Sequence, residues 1–341
     1  MKNFLITGDS LSYNRYGYDD AELMSATDCH IGMQSWSFRL RNDFISSAKG
    51  FKYADELKFG CRAEIGMSLD VDINESIFGE RVITLFPLNG EIRFNAQSDT
   101  GILVLYIQKR VSNYCRFDVF VDGKLQKADV DTYGNKSEYQ GYGLITLELL
   151  CDGNKNEHEV VLNNFRWVDD NPCVTLAGVS CEGHYANITG QGSRTAKFLN
   201  YHFEDRIAKY SPDLMVLIFG GNDTLFYSPN EYRYYLEKIF ATTKDCFPNI
   251  KIITITIPYC GLVRNQLLGV TYENDEQLNQ NSKKYNDVMM DLSKKYDAEC
   301  IDSWELFKDI PISEWRFDNI HLTRKGNDIL YNKVKTLIDF K

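Results

Sequence analysis

The strongest constraint on the fold of this chain is a change of periodicity that occurs twice. From about Ala186 to the C-terminus, strand-like and helix-like stretches alternate. Helical spacing over 197–210 precedes a buried strand at 214–219. Ser228-Pro229-Asn230-Glu231 then reads as a capping box with proline at the first helical position, opening a helix to about Lys244. Its residues Tyr232, Tyr235, Leu236, Ile239 and Phe240 recur at helical spacing and are expected to face a core. The β-branched run at 250–257 is typical of a strand covered on both faces. A helix over 277–296, a short strand at 299–302 and a terminal helix over 323–338 complete the series. Such alternation predicts a parallel sheet with helices on both faces, an α/β fold.

Between about Phe59 and Cys181 the pattern differs. Short strands are expected at 102–108, 116–121, 144–150, 159–165 and 174–179, and no helical pattern interrupts them. Asp122-Gly123 and Asp152-Gly153 read as hairpin signals, because glycine accepts the positive φ such turns need. A β-sandwich of jelly-roll type is the expectation. It reads as an insertion, since one strand precedes it and the rest of the α/β pattern follows. The expected organisation is 1–58 and 182–341 for the α/β domain, with 59–181 inserted. An insertion of this size costs little when its two ends lie close together.

Composition narrows the possibilities. The 341 residues are 43% hydrophobic and 25% charged, as in an ordinary globular protein. A net charge of −10 argues against a nucleic-acid partner, which requires basic patches. No apolar run is long enough for a membrane span. The first strand follows Met1-Lys2 at once and is too short for a signal peptide. The nine cysteines are an odd number without a Cys-x-x-Cys pair, so reduced, packed thiols in a cytoplasmic protein are expected. Cys29 with His30 and Cys181 with His184 lack a matching second pair, and His158 and His202 stand alone, so no metal and no cofactor is expected.

Three short segments carry chemistry. Gly8-Asp9-Ser10 ends the first apolar run, Gly220-Gly221-Asn222-Asp223 follows the strand at 214–219, and Asp318-Asn319-Ile320-His321 precedes the last helix. Singly, each has a bland reading: a turn, a strand-to-helix turn with Asp223 as N-cap, a surface pair. Together they supply a hydroxyl, an amide, an imidazole and a carboxylate, the inventory for acyl transfer through a serine ester. A serine hydroxyl needs a base, and histidine is best poised for that near neutral pH. His321 is therefore the expected base, Asp318 its i, i+3 orienter and Ser10 the nucleophile.

In this order the segments resemble those of the SGNH (GDSL-type) hydrolase superfamily of esterases and lipases. The remaining block of that family is a glycine in a loop before a helix, and residues 187–195 occupy its place. Gly192 is the better match and Gly190 the second; a rival at Leu176-Ala177-Gly178-Val179-Ser180 is assigned to the last strand of the sandwich. The resemblance implies a three-layer α/β/α fold and hydrolysis of acyl esters. It also implies an oxyanion hole formed by the N–H groups of Ser10 and Gly192 and the side-chain amide of Asn222. Two departures stand out. Ser12 and Tyr13 follow Leu11, and Leu322 follows His321 where many members have proline. The insertion gives the chain a similarity to two-domain acetyl-esterases of plant polysaccharides, which pair a jelly roll with this fold. The expected substrate is thus a small-molecule or oligosaccharide ester, most simply an acetylated carbohydrate. A lipase or thioesterase with the same machinery, or a glycan-binding protein without activity, are the alternatives. Asp9 and Asp223 are expected to serve structure. Tyr13, Tyr16, Tyr18, Trp36 and Phe38 are aromatic rings suited to sugar stacking, though core packing is the simpler expectation for Trp36, Phe38 and Leu40.

Overall fold

A computed structural model describes residues 2–13, 35–60, 62–65, 83–110, 113–134, 144–167, 173–261, 273–316, 318 and 320–340. They form two compact units, residues 1–41 with 186–341, and residues 42–185. Tyr16 and Tyr18, and with them Cys29 and His30, lie outside the described residues, as does the side chain of Tyr13.

Strand β1 (Asn3–Gly8) leads into a one-turn helix, α1 (Ser10–Tyr13), and later a longer one, α2 (Trp36–Ser46). The second unit follows with β2 (Lys52–Tyr53), β3 (Arg62–Ile65), β4 (Ile83–Phe86), β5 (Ile92–Gln97) and β6 (Ile102–Gln108). It continues with β7 (Cys115–Val121), β8 (Lys124–Asp131), β9 (Leu144–Leu150), β10 (Glu157–Trp167) and β11 (Val174–Ser180). Strands β5-β10-β7-β8 form a four-stranded sheet, and β3-β4-β11-β6-β9 with β2 form a six-stranded one. Every pairing in both is antiparallel. The two sheets share one apolar core: Ile92, Phe94, Val119, Val160 and Leu162 from the first meet Leu85, Leu103, Leu105, Leu176 and Val179 from the second. The unit begins before the expected residue 59 because β2 pairs with β11 and Ala54 joins this core. Its entry and exit run side by side, with the Cys181 N–H donating to the Lys49 carbonyl at 2.9 Å.

The two hairpin signals fare differently. Asp122 and Gly123 both have positive φ, 48° and 75°, and join the paired strands β7 and β8. Asp152-Gly153 does not make a hairpin. Its flanking strands β9 and β10 belong to different sheets, and the Asp152 carboxylate accepts from the Asn154 N–H at 3.0 Å, closing a local turn instead.

The α/β unit resumes with β12 (Tyr185–Ile188), then α3 (Ala196–Tyr201), α4 (Phe203–Arg206) and β13 (Leu214–Ile218). After these come α5 (Asp223–Phe226), α6 (Pro229–Cys246), β14 (Lys251–Ile255), the helix Asp275–Lys295, β15 (Glu299–Ile301) and the helix Arg324–Lys335. The sheet order is β12-β1-β13-β14-β15, and β1, β13, β14 and β15 run parallel. All of β13 and most of β1 and β14 are buried, which is why they read as unbroken apolar runs. The capping box at Ser228 forms, its hydroxyl accepting from the Glu231 N–H and the Glu231 carboxylate accepting from the Ser228 N–H. Tyr232, Leu236, Ile239 and Phe240 are buried as expected, while Tyr235 is only partly so. The expected helix over 197–210 is broken. His202 (φ −106°, ψ 25°) ends α3, α4 is a single turn, and a 3-10 turn at Ala208–Tyr210 closes on Ser211 in the left-handed region.

Candidate active site

The loops that follow β1 and β13 emerge at the carboxyl ends of neighbouring parallel strands, where open α/β sheets gather their ligands. Gly8 ends β1 with φ 152°, and a Cβ there would stand 2.1 Å from the Ile218 carbonyl oxygen. Only glycine fits. That carbonyl accepts from the Asp9 N–H at 3.2 Å, while the buried Asp9 carboxylate accepts from the Leu11 N–H at 2.9 Å. The Ser12 hydroxyl donates to the Asp9 carbonyl at 2.6 Å. This tight turn holds Ser10 half-buried as the first residue of α1. A first-turn N–H has no acceptor within its own helix.

His321 reaches Ser10 from a loop 311 residues away. Its Nε2 lies 3.0 Å from the Ser10 Oγ, and its Nδ1 lies 2.7 Å from the Asp318 Oδ2. The other carboxylate oxygen of Asp318 accepts from the backbone N–H groups of Ile320 and His321, at 2.8 and 2.7 Å. Burial pushes the Asp318 carboxyl up, but the His321 side chain and these N–H groups outweigh it and hold it down at about 2. It is ionised throughout the working range of an imidazole base. Ile320 and Leu322 are buried on either side of His321 and anchor the loop.

Two residues that sequence reasoning left out of the site tie its halves together. The Trp36 indole N–H donates to the Leu11 carbonyl at 2.9 Å, and the Trp36 backbone N–H donates to the Asn327 Oδ1 at 3.0 Å. The Asn327 amide in turn donates to the carbonyls of Leu322 and Thr323. The nucleophile turn and the histidine loop thus share one buried hydrogen-bonded support. Trp36 read as a core position or a sugar-stacking ring, neither of which points to these hydrogen bonds, and an asparagine inside a helix carries no signal of what it reaches.

The remaining expected residues gather at the same place. A Cβ on Gly192 would lie 3.9 Å from the Ser10 Cβ, so this backbone stands directly against the nucleophile. Gly190 is close as well, but for packing: a Cβ there would fall 1.6 Å from the Ser12 Oγ. The loop is laid along β1 by N–H donation from Thr189 to Ile6 and from Gln191 to Gly8. The buried Asn222 donates its side-chain amide to the Arg194 carbonyl at 2.8 Å, joining the loop after β13 to the Gly192 loop.

Asp223 has a structural place, but not that of an N-cap, the reading its segment alone allows. Asn222 precedes the first residue of α5, and Asp223 itself accepts from the Ala196 N–H at 2.9 Å, at the start of α3. It is fully buried, and its Oδ2 has no hydrogen-bond partner. Burial, with the Asp9 carboxyl nearby, pushes its carboxyl up to about 8. Trp36, Phe38 and Leu40 are buried, in line with core packing. Among the described residues no cluster of three metal-ligating side chains occurs, the seven described cysteines are all free, and no helix is long and apolar enough to cross a membrane.

Residues 174–329 match the model of the GDSL-like Lipase/Acylhydrolase family. The chain carries a GDSL-like lipase/acylhydrolase domain. Its class is therefore that of the carboxylic ester hydrolases. The matched span takes in Gly192, Asn222, Asp318 and His321 but begins well after Ser10. No curated protein matches the sequence. Among solved structures, a peptidoglycan O-acetylesterase is similar over 98% of this chain and 90% of its own, at 12% identity and a TM-score of 0.44. A lipase/acylhydrolase from Enterococcus faecalis is 18% identical over 47% of this chain and 80% of its own, with a TM-score of 0.38. A catalytic mutant of an acetylxylan esterase from Geobacillus stearothermophilus is 19% identical over 47% of this chain and 74% of its own, with a TM-score of 0.37.

Proposed function

We propose that the protein is a serine esterase that removes acyl groups, acetyl first among them, from carbohydrate through a Ser10–His321–Asp318 triad. The observation that carries this reading is the continuous hydrogen-bonded line from the Ser10 Oγ through both ring nitrogens of His321 to Asp318. In the first half-reaction the Ser10 Oγ attacks the ester carbonyl while His321 Nε2 takes the hydroxyl proton. The tetrahedral intermediate places its oxyanion toward the Ser10 and Gly192 N–H groups and the Asn222 amide. Collapse breaks the bond to the sugar oxygen, which takes the proton back from His321 and leaves as the alcohol, with the acyl group on Ser10. Water then attacks that ester with His321 again as base, releasing the acid and restoring Ser10. Asp318, ionised throughout, fixes the imidazole tautomer and stabilises the imidazolium formed in each half.

A carbohydrate alcohol is favoured by an aromatic cluster carried by α3, α5 and α6 and the turn between the last two. Phe226, Tyr201 and Tyr234 are more than half exposed, and Tyr227 and Tyr235 sit among them with ring centroids 5.2–6.5 Å apart. Exposed rings of this kind suit the apolar faces of pyranose sugars. We read the 42–185 unit, two antiparallel sheets around one core, as a jelly-roll-type sandwich.

The test is hydrolysis of 4-nitrophenyl acetate, longer acyl esters and acetylated xylo-oligosaccharides, with Ser10→Ala and His321→Ala as controls. Each variant should lose the activity about as completely as the other, because the two residues act as a unit. A serine-directed phosphonate should label Ser10 alone. Activity surviving Ser10→Ala, or a preference for long acyl chains, would turn the reading elsewhere.

A further inference from the structure

Beside the oxyanion loop lie two arginines with no acidic partner among the described residues. Arg194 is two residues beyond Gly192, and its carbonyl holds the Asn222 amide, so its side chain starts from the wall of the site. Its guanidinium lies over the Phe198 ring, 4.5 Å from the centroid, and the Arg206 guanidinium lies 5.8 Å from the centroid of that same ring. Like charges sharing one aromatic ring repel unless an anion stands between or beside them. Among the described residues neither forms an ion pair with a carboxylate, whereas Arg39, Arg93, Arg116, Arg166 and Arg233 each do. Arg206 spends its donors on the Thr189 carbonyl and the Gln191 side chain, bracing the Gly192 loop. Arg194 has no such use. Its Nε is buried and has no acceptor, the costly condition of a desolvated donor left unpaired. Its terminal N–H groups, which are not enclosed in this way, form the planar fork that pairs with a carboxylate.

We propose that Arg194, with Arg206 near the same Phe198 ring, is an anion subsite that takes the carboxylate of an acidic sugar whose hydroxyl carries the acyl group. The substrate class is then an O-acylated uronate rather than a neutral glycan. This rests on the esterase reading given above. The subsite acts on binding and on placement of the ester, while bond making and breaking remain with Ser10 and His321.

The decisive comparison uses two esters that differ in one group, acetylated methyl glucuronoside and acetylated methyl glucoside. The wild-type kcat/KM should favour the uronate by roughly tenfold or more, and about 0.5 M NaCl should erode that preference. Arg194→Met, which keeps a long side chain over Phe198 without charge, should bring the ratio near one; Arg194→Lys should restore part of it. A wild-type ratio near one, or equal losses on both esters in Arg194→Met, overturns the subsite while leaving the esterase reading intact. Calorimetric titration of the Ser10→Ala protein with methyl glucuronoside separates the two. Binding that Arg194→Met removes, in a protein whose wild-type form cleaves neither ester, upholds the subsite and sinks the esterase reading. No binding to the Ser10→Ala protein sinks the subsite.

Discussion

Asp223 makes a pH-dependent contribution that one substitution can isolate. Its carboxyl rises from an ordinary 3.8 to about 8 because the residue is fully buried and faces the carboxyl of Asp9, with the Tyr232 hydroxyl also close by. A carboxyl raised in the folded state binds its proton more tightly there than in the unfolded chain. Stability is therefore greatest below the unfolded value and falls as pH climbs toward the folded one. The fall is about 1.4 kcal/mol for each pH unit in that window, so about 4 kcal/mol between pH 5 and pH 8 as an order of magnitude. Asp223→Asn keeps an oxygen to accept from the Ala196 N–H but has no proton to lose. Its new amide hydrogens face the position where Oδ2 has no partner, a pH-independent cost of about 1–3 kcal/mol. Urea unfolding of both proteins at several pH values should show the variant less stable near pH 5 and gaining on the wild type with each unit upward. Activity should move in parallel. Ionised Asp223 puts a negative charge next to Asn222, against the developing oxyanion, so wild-type kcat/KM should decline above about pH 8 where the variant holds. A stability difference that stays constant from pH 5 to pH 8 would falsify the raised carboxyl and the charge argument with it.

Two further outcomes follow from the site and the unit boundaries. Asn222→Ala should lower kcat on a small acetyl ester by about 100- to 1,000-fold with little change in KM, since an oxyanion donor acts in the transition state; a change confined to KM would remove Asn222 from that role. Deleting residues 50–180 and joining Lys49 to Cys181 through a short linker should leave a folded α/β protein active on the small ester, because those two residues are already hydrogen-bonded neighbours and the deleted core lies wholly within 54–179. Collapse of that protein, read by circular dichroism and ester turnover, would refute independent folding of the two units.

What the sequence disclosed of the fold tracks how far each element is covered. Strands buried on both faces, such as β13 and β14, read as apolar runs and appear within a residue or two of their expected places. The sandwich was read less fully. β8 buries only Val130 among eight residues, so its polar run carries no strand signal although it pairs along β7. β5 does alternate, with Ile92, Phe94 and Ala96 inward, but it is short and its outward residues include Arg93 and Asn95. β2 is two residues long and exists only because β11 offers it an edge. The helix expected over 197–210 failed for a different reason. Its apolar spacing persists through the break, and the turn at His202 is set by backbone angles that no residue type there demands.

The site was more legible than the fold around it, and the reason is chemical. A serine after the first strand and an Asp-x-x-His before the last helix have few structural uses in common, so their order along the chain constrains the reading even where each segment alone is commonplace. The geometry brings Ser10, Gly192, Asn222, Asp318 and His321 to one place. What the sequence left dark are the supports. Asn327 and Trp36 join the nucleophile turn to the histidine loop through contacts 291 residues apart in sequence, and neither residue type signals its partner. Asp223 looked like a local cap and instead receives the first N–H of a helix 27 residues earlier. Polar residues whose partners are distant in sequence leave no periodicity behind, and it is these that hold a catalytic hydroxyl and its base at hydrogen-bonding distance. A loosened support would therefore reach the chemistry without touching any of the residues that perform it.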